Sequence, residues 1–135
     1  PLWFAKKQPR LLAVDSEMVV PVNKVVHVLV TSNDVIHNWT IPSFGSKVDA
    51  VPGRVTSTWF RAEHEGIFYG QCSELCGLNH AFMPIGMRVV SEAVFAEWSG
   101  AMKAKDKEKA KAILDKVAAL QDGRDLNTPV ADASK

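Results

Sequence analysis

The chain has 135 residues, 47% of them hydrophobic and 23% charged, with a formal net charge of +1. That length suits a single domain with a buried core of its own, and that apolar content excludes wholesale disorder. No stretch reaches the roughly 20 consecutive apolar residues that cross a bilayer. Charge divides as 8 basic against 9 acidic residues over 1–102 and 8 against 6 over 103–135, so neither part offers the basic surface that nucleic-acid binding needs. The first residue is Pro and no signal peptide is visible, so the expectation is a processed, trimmed or partial chain.

From Arg10 to Val90 the sequence predicts short strands at 11–14, 19–22, 25–31, 35–41, 55–62, 67–71 and 85–90. They are rich in Val, Ile, Thr and aromatics, and Pro and Gly punctuate the gaps between them. Many short strands with no helices between them predict an all-β sandwich or barrel rather than a parallel α/β sheet. The pattern changes at Ser91, a candidate N-cap, after which Val94, Phe95, Trp98 and Met102 share one helical face. A second helical pattern covers 103–120, where Ile113, Leu114, Val117, Ala118 and Leu120 form an apolar stripe and the lysines sit elsewhere. From Gln121 onward the chain is polar and predicts a flexible tail.

Chemistry concentrates in 71–84, QCSELCGLNHAFMP, which holds both cysteines of the chain, Cys72 and Cys76, followed by His80 and Met83. A disulfide between them is the plain reading, but a bridge across three residues strains the torsions a disulfide requires and closes too short a loop to constrain the unfolded chain much. Thiolate, imidazole and thioether together form a soft donor set suited to copper rather than to Mg²⁺ or Ca²⁺, and zinc rarely uses Met. A single-copper electron-transfer site takes two His, one Cys and a weak axial Met, which leaves one cysteine here without a role. Two thiolates bridging two copper ions use both, provided that each ion also finds an imidazole.

His80 supplies one imidazole, and His37 is the candidate for the other. Period-2 alternation places Val35, His37, Trp39 and Ile41 on one face of a strand and Ile36, Asn38 and Thr40 on the opposite face. Alone, His37 reads as a hydrogen-bonded core histidine. Beside a loop short of one imidazole it reads as a ligand.

The string CSELCG-x-x-H-x-x-MPI, from Cys72 to Ile85, resembles the dinuclear copper-A loop of cytochrome c oxidase subunit II. DVIHNW, from Asp34 to Trp39, is similar to that family's upstream histidine strand, and DAVPGR, from Asp49 to Arg54, to its following turn. The resemblance runs from about Arg10 to Met102. It implies a cupredoxin-like Greek-key β fold over 10–102, with 1–9 as a lead-in, 103–120 as a charged helical extension and 121–135 as a tail. It implies copper ligation by His37, Cys72, Cys76, His80 and Met83 and by the backbone carbonyl of Glu74, whose carboxylate would reach a magnesium ion at the boundary with subunit I. The implied function is electron entry into the oxidase: electrons come from cytochrome c and pass to haem a in subunit I, where oxygen is reduced. The expected location is the intermembrane-space face of the mitochondrial inner membrane, with the bacterial periplasmic face as the alternative.

Two features depart from the family pattern. The usual membrane-spanning helices and aromatic entry strand do not precede the domain, so Trp3 takes no entry role. The expectation is that the missing half was cut away or is a separate polypeptide. The helical and polar extension is the second departure. Of the remaining candidates, His27 and His64 read as structural or solvent-exposed and Met87 as core. Asp34 and Asp49 read either as solvated loop residues or as an acidic docking surface for basic cytochrome c. The rival readings are the copper domain of a nitrous oxide reductase, a metal-free relative of the quinol oxidases, and a copper chaperone.

Overall fold

The structure, a computed structural model, describes residues 9–121. Seven strands follow in chain order: β1 (Met18–Pro21), β2 (Val25–Val30), β3 (His37–Ile41), β4 (Ser46–Ala50), β5 (Thr56–Arg61), β6 (Gly66–Gln71) and β7 (Pro84–Val90). Two helices close the described chain, α1 (Glu92–Lys103) and α2 (Lys107–Gln121). The chain divides into two compact units, 1–92 and 93–135. Among the described residues no helix is long and apolar enough to cross a membrane.

The first unit is a cupredoxin-like β sandwich. β6 and β1 flank β7, with β1 parallel and β6 antiparallel to it, while β2 pairs with β5 and β3 with β4, both antiparallel. Inward side chains from β1, β3, β5 and β7 build the core, in which Ile41, Met87 and Val89 are fully buried beside Val20, Phe60 and Ala62. Phe44 stacks on Phe60 with ring centroids 4.5 Å apart and meets Phe68 at 4.8 Å, in the offset geometries aromatic rings prefer. Met87 is thus a core residue, as expected, whereas His27 and His64 face solvent.

Several expectations shift. Residues 11–14 form no strand: the Leu12 amide donates to the Pro9 carbonyl at 3.1 Å and Leu11 takes φ 66°, so the segment turns. β3 starts at His37 rather than at residue 35, because the Ser32 hydroxyl donates to the Val35 carbonyl at 2.6 Å and holds 32–35 in a turn, which leaves Val35 and Ile36 exposed. β4 escapes the sequence pattern, since Ser46 and Ala50 bury beside Val48 while Lys47 and Asp49 face outward; small inward residues mask the alternation. The face assignment in β3 also changes, with Asn38 buried as deeply as the apolar members of the strand.

In the second unit, α1 runs through Lys103 and stops where Lys105 adopts φ 59°. The amides of Ala104, Lys105 and Asp106 return to the carbonyls of Gly100, Met102 and Ala101 and so satisfy the orphan acceptors at the helix end. Asp106 then caps α2, its carboxylate accepting the Lys109 amide at 3.0 Å. The second helix therefore covers Lys107–Gln121 rather than 103–120. Ala110, Ile113, Leu114, Val117, Ala118 and Gln121 are its half-buried or buried positions, at helical spacing. Leu120 and Met102 lie off the buried faces and are exposed. Gln121, placed in the tail by composition, is the last helical residue and is buried; the rest of the tail and all of the lead-in except Pro9 lie outside the described residues, as does Trp3.

Candidate metal centre

Residues 72–83 form the loop between β6 and β7, whose last paired residues are Gln71 and Pro84. The Cys72 amide donates to the Met83 carbonyl at 3.1 Å and closes the loop at its base. The Ser73 amide donates to the Asn38 carbonyl at 3.3 Å and ties the loop to β3. Gly77 turns the chain at φ 130°, a conformation side-chain-bearing residues rarely adopt. A 3-10 turn at His80–Phe82 then brings His80 back toward the cysteines.

The donor atoms form a chain. Nδ1 of His37 lies 3.9 Å from Sγ of Cys72, which lies 3.8 Å from Sγ of Cys76. Cys76 Sγ in turn lies 3.5 Å from Nδ1 of His80 and 3.5 Å from Sδ of Met83. The Glu74 carbonyl oxygen stands 3.3 Å from Cys72 Sγ, while its carboxylate side chain is exposed. A disulfide sulfur pair sits at about 2.05 Å, so at 3.8 Å both thiols are free. His37, Cys72 and Cys76 each present a donor atom within 4.8 Å of the other two.

The surroundings fix these donors. Nε2–H of His37 donates to Oδ1 of Asp34 at 2.8 Å, which leaves Nδ1 turned toward Cys72. This is the arrangement by which a carboxylate sets the tautomer of a ligating imidazole. The hydrogen bond raises the His37 pKa and brings Asp34 down to about 2. Burial pushes the Cys72 thiol up, but backbone hydrogen bonds at Asn38 and Glu74 and the imidazoles of His37 and His80 outweigh it and lower the pKa to about 6. Burial and the neighbouring Cys72 sulfur raise the Cys76 pKa. The two neighbouring thiols are thus pushed in opposite directions, Cys72 down and Cys76 up.

Every residue the sequence singled out for copper lies on this loop or beside it. Asp34 and Asp49 are exposed but not idle: Asp34 holds His37, and Asp49 Oδ1 accepts from Nδ2 of the buried Asn38 at 2.6 Å across the β3–β4 pair. Sequence reasoning missed Asn38, whose carbonyl receives the Ser73 amide and whose side chain joins the strands. It also missed Glu17 and Arg88, a nearly buried ion pair in which both guanidinium Nε and Nη2 donate to the Glu17 carboxylate. An arginine inside an apolar strand was the available signal. A cavity of about 940 Å³ opens onto His37, Cys72 and Met83 from the side of residues 10–16.

The donor set fits copper: two thiols, two imidazole nitrogens, one thioether and one carbonyl oxygen meet within a few ångströms, all soft or borderline except the last. Residues 3–90 match the family model for cytochrome c oxidase subunit II, periplasmic domain. Cytochrome c oxidase subunit 2 of Cereibacter sphaeroides is 67% identical over 88 residues, covering 65% of this chain and 29% of that protein. The chain thus spans about a third of the length of such relatives. The crystal structure of the periplasmic domain of subunit II of cytochrome oxidase from Bradyrhizobium japonicum superposes with a TM-score of 0.70 at 62% identity, covering 73% of this chain and 71% of that one. A second structure, the mixed disulfide intermediate between a thioredoxin-like protein and subunit II of cytochrome c oxidase, gives a TM-score of 0.60 at 56% identity, covering 79% and 70%. From the ligand loop to the family match, these observations agree: the chain belongs to the cytochrome c oxidase subunit II family, as its periplasmic domain.

Proposed function

We propose that this chain is the electron-entry domain of a cytochrome c oxidase, taking electrons from cytochrome c and delivering them toward haem a in subunit I. The observation that carries the reading is the unbroken run of donors from His37 through Cys72 and Cys76 to His80 and Met83. Bound there, a copper pair supplies one-electron redox chemistry shared between two ions. Cys72, Cys76, His37, His80, Met83 and the Glu74 carbonyl are the residues that would hold it.

The chain's own contribution is rigidity. The Cys72–Met83 and Ser73–Asn38 backbone bonds pin the loop, and Asp34 fixes the His37 ring. Ligands that hardly move between oxidation states keep the reorganisation cost low, as preorganised sites do in general. The exposed Glu74 carboxylate is the proposed magnesium ligand at the subunit I boundary, a hard donor for a hard cation. Asp34 and Asp49 are the proposed docking acids for cytochrome c; both are exposed, and charge there would act mainly on the association rate.

Family membership removes the nitrous oxide reductase alternative. The family is matched through its periplasmic domain and the relatives described above are bacterial, which favours the periplasmic over the mitochondrial face. A thioredoxin-like partner for the Cys72/Cys76 pair is part of the same proposal, carried by the mixed disulfide seen with a relative. The deciding experiment loads the metal-free chain with copper. The expected result is a pair of coppers per chain and a paramagnetic resonance spectrum split by two equivalent copper nuclei. Splitting by a single nucleus, at one copper per chain, overturns the dinuclear reading.

A further inference from the structure

Asn38 follows His37 on β3 and is only 3% exposed, although its side chain is polar. A carboxamide is tolerated at that depth where its donor and acceptor both find partners. Both main-chain groups of Asn38 turn to the ligand loop: the amide donates to the Cys72 sulfur, and the carbonyl accepts from the Ser73 amide at 3.3 Å. Groups turned that way belong to the kind of antiparallel pair that exchanges no main-chain bonds and brings its side chains closest. The partner across β3–β4 is Asp49, and Nδ2 of Asn38 donates to its Oδ1 at 2.6 Å. Oδ1 of Asn38 in turn accepts from the Thr40 hydroxyl. The chain Thr40–Asn38–Asp49 therefore holds residue 38 by its side chain while its peptide groups hold the loop.

We propose that Asn38 is a positioning residue for the metal centre: anchored by Asp49 and Thr40, its carboxamide holds the Asn38 amide against the Cys72 sulfur, and that contact sets the reduction potential of the bound copper. The inference rests on the copper reading above and adds a group that tunes the site without touching the metal. A hydrogen bond to a ligating thiolate draws electron density from the sulfur. Donation to the metal weakens, and the reduced state gains over the oxidised one; hydrogen bonding around the sulfur is a general control on such potentials. Its strength falls steeply as the donor angle closes, so a peptide free to tilt would give a weaker contact than one gripped by its side chain. Partners standing behind a ligand commonly fix its orientation in this way. Asp49 thereby acquires a duty apart from its charge, since Asn38 needs only an acceptor oxygen there.

The test compares Asn38→Ala, Asp49→Ala and Asp49→Asn with the parent, each as the full chain. In the metal-free protein, hydrogen exchange at the Ser73 amide should quicken about tenfold or more in Asn38→Ala, as the tie between loop and β3 loosens. Loaded with copper, Asn38→Ala and Asp49→Ala should bind it about tenfold more weakly, show a lower reduction potential than the parent, and alter the copper hyperfine splitting. Asp49→Asn keeps an acceptor oxygen and should show the parental potential and spectrum. An unchanged potential and spectrum in Asn38→Ala, beside a lowered unfolding midpoint, overturn the positioning role and leave Asn38 a tie between strands. A potential as low in Asp49→Asn as in Asp49→Ala overturns the hydrogen-bond chain in favour of charge alone. The Ser73 comparison needs no copper, so an unaltered rate there overturns this inference by itself, whereas one copper per parent chain overturns the dinuclear reading. Asp49 is exposed, so Asp49→Ala carries the test should Asn38→Ala fail to fold.

Discussion

A Cβ placed on Gly70 would overlap the backbone carbonyl oxygen of Thr40 and lie 2.9 Å from its carbonyl carbon. β6 and β3 belong to different sheets, and this close approach sets His37, at the start of β3, opposite Cys72, which follows the end of β6. The missing side chain is what lets an imidazole on one strand reach a thiol 35 positions away.

Gly70→Ala should therefore destabilise the fold by about 3 kcal/mol, because the obstruction is rigid backbone rather than a flexible side-chain end. Denaturant unfolding measures the loss, and copper stoichiometry should fall with it as β3 is pushed from β6. A variant of parental stability would show that the two strands have room to separate.

Cys76→Ser should convert the copper pair to a single ion. Cys72 with His37 still offers a thiolate and an imidazole, while the bridge and the link to His80 and Met83 are lost. Copper per chain should halve, and the resonance spectrum should show coupling to one nucleus. Cys72→Ser should be more damaging, since that sulfur is buried and adjoins His37 and Glu74.

Asp34→Asn should return the His37 pKa toward its ordinary value of 6.5, as followed by proton resonance titration of the metal-free chain. The sign of the stability effect follows. His37 is raised when folded, so its contribution is whole below about 6.5 and fades as pH climbs through the raised value. Asp34 is lowered from 3.8 to about 2, so its contribution is present above about 4 and is lost as pH falls toward 2. The parent should gain over the Asn variant chiefly between about pH 4 and 6.5. An advantage unchanged at pH 9 would contradict the pairing.

Copper uptake should release protons at neutral pH. Cys72, at about 6, is already mostly thiolate there, whereas Cys76 keeps its proton and must lose it to bind metal. Calorimetry in buffers of different ionisation enthalpy should show release of about one proton or more near pH 7.5, with apparent affinity falling below pH 6 as Cys72 protonates.

Glu17→Gln should cost about 3 kcal/mol, because it takes the carboxylate charge away from a guanidinium that is 2% exposed. Arg88→Met should cost less, since it removes the buried charge along with the bond. Urea unfolding separates the two, and copper stoichiometry at low temperature should be unaffected in both.

Residue order was enough to mark the strand-rich first unit, the helical second one, and the candidate ligands on the 72–83 loop. Strands and helices leave periodic marks, and a loop whose donors are neighbours in sequence carries its chemistry in plain order. His37 was legible only through the gap it fills, since nothing local separates a ligand histidine on a strand from a core one. Only contacts made in three dimensions settle that Asp34 holds Nε2 so that Nδ1 faces Cys72, that the Asn38 carbonyl accepts from the loop at Ser73, that Glu17 pairs with Arg88, and that 46–50 is a strand. Each depends on groups meeting across turns or between sheets. Such meetings are set by packing and steric clearance, as at Gly70, and neither writes a period into the chain.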